Sequence, residues 1–182
     1  DKIIKNNNIK CLRLKSGKKI ASCTYTQHDI SINLGPPINV KEFQHTYGEG
    51  KDSFKATLVN MGNPHAVIIS ETDINQLDLE KEGPPLENHS VFPNRSNIEF
   101  INIGLDRVSQ RTWERGSGET NACGSGGAAV AVTLWHYDLW PKNKDIPIYM
   151  KGGILKYTLN KENFDVTLTG PAKYIFKDGL IP

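Results

Sequence analysis

The run from Ala128 to Trp135 is apolar at nearly every position, and it follows directly on the turn Ala122-Cys123-Gly124-Ser125-Gly126-Gly127. A helix made of such a run has no polar face to give to water, so the rest of the chain must enclose it. The glycines mark its mouth. There the first N–H groups have no partner within the helix, and those of Gly124, Ser125 and Gly126 are placed to bind a carboxylate. Cys123 stands at the same positive end, where the helix field is expected to lower the thiol pKa and favour thiolate. Most lone cysteines are small buried hydrophobes. Here Glu114, Arg115, Glu119, Thr120 and Asn121 come just before it. Such residues are costly to place beside an apolar helix without a task.

Composition narrows the function classes. At 182 residues and 37% hydrophobic content the chain can bury a core as one or two domains. The net charge is +2 and the lysines are scattered, which leaves no electrostatic footprint for nucleic acid or an anionic membrane. No apolar stretch is long enough to span a bilayer, and Asp1-Lys2-Ile3-Ile4-Lys5 lacks the apolar core of a signal peptide, so the expected location is cytoplasmic. Cys11, Cys23 and Cys123 have no metal-ligand spacing, and their odd number argues against a complete disulfide framework. No metal is expected. Cys11 and Cys23 fall in strand-like patterns without a glycine turn and read as packing residues. The chain opens at Asp1 on what reads as the middle of a fold, and a fragment is the expectation.

Along the chain, residues 9–14, 19–25 and 30–34 read as a meander of strands that Gly35-Pro36-Pro37 stops. The polar stretch through Tyr47 to Asp52 reads as a connection or hairpin turn before a strand at 53–60. A further strand is predicted at 66–70. A short helix at 73–79 is capped by Asp73 and ended by Gly83-Pro84-Pro85. Strands follow at 97–103 and 107–114. After the central helix, Pro141 breaks the pattern, strands are predicted at 146–150, 155–159 and 164–169, and residues 174–176 and 180–181 finish the chain. Many strands and one buried helix define an α+β fold, with a curved, mostly antiparallel sheet wrapped around the helix.

Four motifs carry a family resemblance: Met61-Gly62-Asn63-Pro64-His65, Phe92-Pro93-Asn94-Arg95-Ser96-Asn97-Ile98, the segment from Glu114 to Gly126, and Thr169-Gly170-Pro171-Ala172. In content and order they resemble the diaminopimelate epimerase family. The resemblance implies two pseudo-symmetric lobes with an active site in the cleft between them. On that basis residues 38–169 form a C-terminal-type lobe. Residues 1–37 and 170–182 are strands bridging to, or belonging to, an N-terminal lobe that this chain lacks.

The resemblance also implies the chemistry: epimerisation of an amino-acid α-carbon without pyridoxal phosphate or any other cofactor. One thiolate removes the α-proton and a thiol on the opposite face returns one. Cys123 matches the second catalytic cysteine, while the first belongs to the absent lobe. Glu114 resembles the carboxylate that pairs with Cys123, and His65 the imidazole that pairs with the absent cysteine, which fits the need for opposite protonation states. Gly124 and Ser125 would bind the carboxylate at the reacting centre. Asn63, Asn97 and Arg115 resemble the groups that hold the distal ammonium and carboxylate, a task suited to a planar guanidinium.

The implied substrate is diaminopimelate, converted from the LL to the meso form on the way to lysine and cell-wall precursors. The implied partners are this small molecule, the missing lobe and a second copy of the chain in a homodimer. Without the first cysteine, the isolated chain is expected to be inactive. The competing expectation is a non-catalytic module that captures a carboxylate at the helix mouth. A cysteine hydrolase or thiol-redox protein is disfavoured, because no Cys-x-x-Cys occurs and no His lies close in sequence to Cys123.

Overall fold

The computed structural model describes residues 11–16, 19–25, 29–47 and 52–172. In chain order the strands are β1 Cys11–Ser16, β2 Lys19–Tyr25, β3 Asp29–Asn33, β4 Asn39–Tyr47, β5 Asp52–Asn60, β6 Pro64–Ile69, β7 Asn97–Ile103, β8 Val108–Glu114, β9 Gly118–Thr120, β10 Ile146–Met150, β11 Gly153–Leu159 and β12 Val166–Pro171. The helices are α1 Leu79–Glu87 and α2 Gly124–His136, with a 3-10 turn at Ile74–Gln76. The strands form one sheet in the order β1-β2-β3-β12-β11-β10-β8-β7-β6-β5-β4, and β9 adds to β8. Among the described strands, only β6–β7 and β8–β10 are parallel pairs.

The sheet curls because α2 must be enclosed. Residues Gly126 to Trp135 are buried without interruption. The helix meets β5, β6 and β7 on one side and β11 and β12 on the other, strands far apart in the sheet order. Val59, Val67, Ile101, Val108, Ile146, Ile148, Tyr157 and Val166 supply the inner wall. Gly127 is required by this fit, since a Cβ there would lie 2.2 Å from Tyr157 Oη. That hydroxyl donates to the Gly124 carbonyl at 2.9 Å.

The opposite face of β5 to β8 is covered by α1 and the 3-10 turn. Ala56, Ala66, Ile98, Phe100 and Trp113 face Ile74, Leu79 and Leu86 there. Strand alternation sorts the two faces. On β7, Ile98 and Phe100 point to α1 and Ile101 to α2, so Asn97 and Glu99 share the α2 face. The same period puts His65 with Val67 on β6, and Gln110 and Thr112 with Val108 on β8.

The α+β class and the buried helix agree with the sequence expectation. Three local expectations do not hold. The helix expected to stop at Gly83-Pro84-Pro85 instead runs through both prolines, after a 3-10 turn that Asp73 caps by accepting from Asn75 N–H at 2.9 Å. Packing explains this: a Cβ at Gly83 would lie 2.3 Å from Trp113 Cδ2, so the helix crosses the indole here. A residue without Cβ also relieves the clash that disfavours helix before proline.

The second departure is β4, read as part of a connection, which pairs with β5 from Asn39↔Asn60 to Tyr47↔Asp52. Its described side chains are mostly exposed, as on a charged edge strand, so no apolar alternation announces it. The third is β9, short and fixed by pairing to β8. The strands expected at 174–176 and 180–181 lie outside the described residues.

Candidate active site

Beneath the N-terminus of α2 the inner wall turns from apolar to polar. His65, Asn97, Glu99, Gln110 and Thr112 are all buried there, and Glu99 is completely enclosed. Cys123 is the N-cap residue of α2, extended in backbone and buried. Its sulfur receives the Gly126 N–H and lies 3.7 Å from Ser125 Oγ. Asn63 Nδ2 donates to Ser125 Oγ at 3.3 Å, and Asn63 Oδ1 meets His65 Nε2 at 3.1 Å. His65 Nδ1 in turn sits 2.7 Å from Glu99 Oε1. One polar line therefore runs from the thiol through Ser125, Asn63 and His65 to Glu99.

The thiol does not follow the sequence expectation of a lowered pKa. Burial pushes it up from 9.0 to about 12, and the negative charges of Glu99 and Glu114 push the same way. The Gly126 N–H and the Ser125 hydroxyl favour thiolate but do not win. In this structure Cys123 is a protonated thiol at neutral pH.

The structure also locates the other sequence-derived candidates. Glu114, at the end of β8, accepts from the Thr120 hydroxyl at 2.7 Å and acts on Cys123 through its charge. Gly124 and Ser125 are the first two residues of α2 and half-buried, so their N–H groups lie at the helix mouth. Asn97 bridges two elements: Nδ2 donates to the Pro64 carbonyl at 2.9 Å, and Oδ1 accepts from Arg115 N–H at 3.0 Å. Arg115 is exposed and its guanidinium donates to the Asn94 carbonyl at 2.8 Å. Thus Asn63, His65, Cys123 and Ser125 form one line, with Gly124 beside it, while Asn97 ties the strand bearing His65 to the turn bearing Arg115. Cys23 is buried on β2. The side chain of Cys11 lies outside the described residues.

Two buried carboxylates were not singled out from the sequence. Glu99 also accepts from Thr112 Oγ1 at 2.7 Å and Gln110 Nε2 at 3.0 Å. Glu87, at the end of α1, accepts from Trp113 Nε1 at 2.7 Å, Gly116 N–H at 2.9 Å and Arg95 Nη1 at 2.9 Å. It anchors the turn that carries Arg115. Glu99 had a signal: it is a charge inside an otherwise apolar strand pattern, two residues from Asn97 and therefore on the same face. Glu119 pairs with Arg111 and Lys151 and braces β9. No group of three or more His, Cys, Asp or Glu residues is arranged to hold a metal ion among the described residues.

A thiol at the mouth of a buried helix thus stands beside a buried His–carboxylate pair, inside a sheet wrapped around that helix, an arrangement suited to proton transfer or to anion binding. Residues 57–175 match the family described as Diaminopimelate epimerase, and the chain belongs to that family. It is 37% identical over 172 residues to the diaminopimelate epimerase of Bacteroides thetaiotaomicron, covering 93% of this chain and 60% of that protein. Against the diaminopimelate epimerase of Leptospira biflexa the identity is 44% over 129 residues, 70% of this chain and 44% of the relative.

The fold is similar to a probable proline racemase from Agrobacterium radiobacter, with a TM-score of 0.62 at 15% identity over 94% of this chain and 61% of that one. It is also similar to a hydroxyproline epimerase from Agrobacterium vitis, with a TM-score of 0.59 at 16% identity over 88% and 56%. The chain spans 60% and 62% of the length of two of its curated relatives.

Proposed function

We propose that this chain supplies one half of the active site of a diaminopimelate epimerase, interconverting the LL and meso forms without pyridoxal phosphate. The observation that carries this reading is the polar line ending on Cys123 at the mouth of a buried helix, in a chain of this family. The helix mouth binds the carboxylate at the reacting carbon and stabilises the negative charge that builds as the α-proton leaves. A thiolate from the complementary lobe takes that proton, and the Cys123 thiol delivers its own to the opposite face. The C–H bond breaks on one side and re-forms on the other, so the substrate keeps its composition and inverts its configuration.

Burial suits Cys123 to the donor role in this direction, because it rests as a thiol. In the reverse direction Glu114 is the nearby carboxylate that helps to receive its proton. Asn63, Asn97 and Arg115 supply the amides and guanidinium that hold the distal amino-acid end.

The test is proton NMR of diaminopimelate in deuterated water, with this chain joined to a complementary N-terminal lobe of the family. Loss of the α-proton signal supports the reading. A signal that persists over many expected turnovers refutes it. The elevated thiol pKa favours a second reading, a carboxylate-binding module without proton transfer. That reading predicts no exchange, and diaminopimelate binding that survives Cys123→Ala unchanged.

A further inference from the structure

Among the described residues, Glu99 is the one fully buried carboxylate in contact with the polar line, and its two oxygens have different company. Oε2 accepts from Gln110 Nε2 at 3.0 Å and from Thr112 Oγ1 at 2.7 Å. Oε1 faces His65 Nδ1 at 2.7 Å, with both side chains fully enclosed. The first turn of α2 closes over the carboxylate, since a Cβ at Gly126 would lie 2.6 Å from Oε1. An ionised carboxylate has no proton to give, so the short contact requires Nδ1 to carry one. The other ring nitrogen faces Asn63 Oδ1 at 3.1 Å, an oxygen that can only accept, so Nε2 donates as well, and the line continues from Asn63 to Ser125 and Cys123.

We propose that Glu99 is a positioning residue of this site, which holds a proton on Nδ1 of His65 and so aims Nε2 as a donor into the polar line toward Cys123. A carboxylate behind an imidazole fixes both ring orientation and tautomer, and such a partner governs how well the imidazole exchanges protons at its other nitrogen. Filling space does not require this arrangement. A well-fitting apolar residue would fill the same volume, whereas a buried charge is costly unless its bonds are used.

The Glu99→Gln variant separates the two roles. Gln110 and Thr112 both donate to the Oε2 position, so they hold the new amide oxygen there and turn its NH2 group toward His65. Nδ1 must then accept and gives up its proton, while Nε2 keeps its own on Asn63 Oδ1. Long-range proton–nitrogen NMR of the histidine-labelled chain, with His65 assigned through His65→Gln, reads the change directly. The expected result is a protonated Nδ1 in the parent and a bare Nδ1 in Glu99→Gln. A bare Nδ1 in the parent, or a protonated one in the folded variant, overturns the proposal. If the variant does not fold, the parent spectrum decides: a downfield Nδ1 proton bonded to the carboxylate supports the proposal, and a bare Nδ1 overturns it.

The catalytic consequence rests on the epimerase reading. In the two-lobe protein Glu99→Gln should lower kcat at least about tenfold while changing KM less than about threefold, as loss of an orienting partner does. A bare Nδ1 in Glu99→Gln with unchanged kcat overturns the positioning role. A parent protein that exchanges no α-proton refutes the epimerase reading instead, and leaves the Nδ1 result standing by itself.

Discussion

Cys123 sits where two fields compete. The N-terminus of α2 and the Gly126 N–H draw the thiol toward thiolate, while burial and the charges of Glu99 and Glu114 hold the proton on. Burial is the largest contribution, and the thiol ends near 12. The linkage follows from the sign of this shift. An unfolded chain begins to release the cysteine proton near 9 and the folded one only near 12, so between those pH values the folded state binds more protons. The stability that burial of the neutral thiol provides is complete below pH 9 and is lost as pH rises toward 12. Denaturant titrations across this window should show a fall in stability that is shallower in Cys123→Ala. Equal slopes would mean that Cys123 ionises with an ordinary pKa. Alkylation of Cys123 at neutral pH should accordingly be much slower than that of an exposed thiol, and rapid labelling would contradict the burial.

At the scale of single elements, close approach rather than propensity fixes the geometry. Gly127→Ala improves intrinsic helix propensity by about 1 kcal/mol. Its new Cβ nonetheless meets the Tyr157 phenol, which must move and give up its bond to Gly124. A net loss of roughly 1–3 kcal/mol is expected in denaturant unfolding. A stabilised variant would show that Tyr157 has room to withdraw. Glu87→Ala should cost about 2–4 kcal/mol, because it strands the Trp113 N–H and frees the turn that carries Arg115. Glu87→Gln should recover part of that loss, since an amide oxygen still accepts from the indole.

These elements also show what the sequence reveals and what it hides. The apolar run of α2 and the strand Asn97–Ile103 are legible because their periodicity is complete within a few residues. The passage of α1 through Pro84 and Pro85 is not, because it depends on Trp113, thirty residues along the chain from Gly83, whose indole the helix crosses. The glycine turn and Cys123 were legible as a site. The burial that reverses the thiol shift was not, since it comes from strands that close over the helix only in three dimensions.

At the scale of the whole molecule, the sheet sets a polar spot into an apolar wall. Period-two alternation on three adjacent strands places His65, Asn97, Glu99, Gln110 and Thr112 on one face, and α2 sets its mouth above them. The rest of that face is Val59, Val67, Ile101 and Val108, which seat the helix body. In the proposed function this spot supplies the acid, the anion-binding N–H groups and the oriented imidazole on one side of the reacting carbon. The proposal gives the second thiol to a complementary lobe. The most direct measurement is epimerisation of LL-diaminopimelate by the chain joined to such a lobe, comparing the parent with Cys123→Ala and checking both by thermal melting. The account predicts that turnover disappears in Cys123→Ala while the cooperative melt remains. Turnover retained by that folded variant would contradict it.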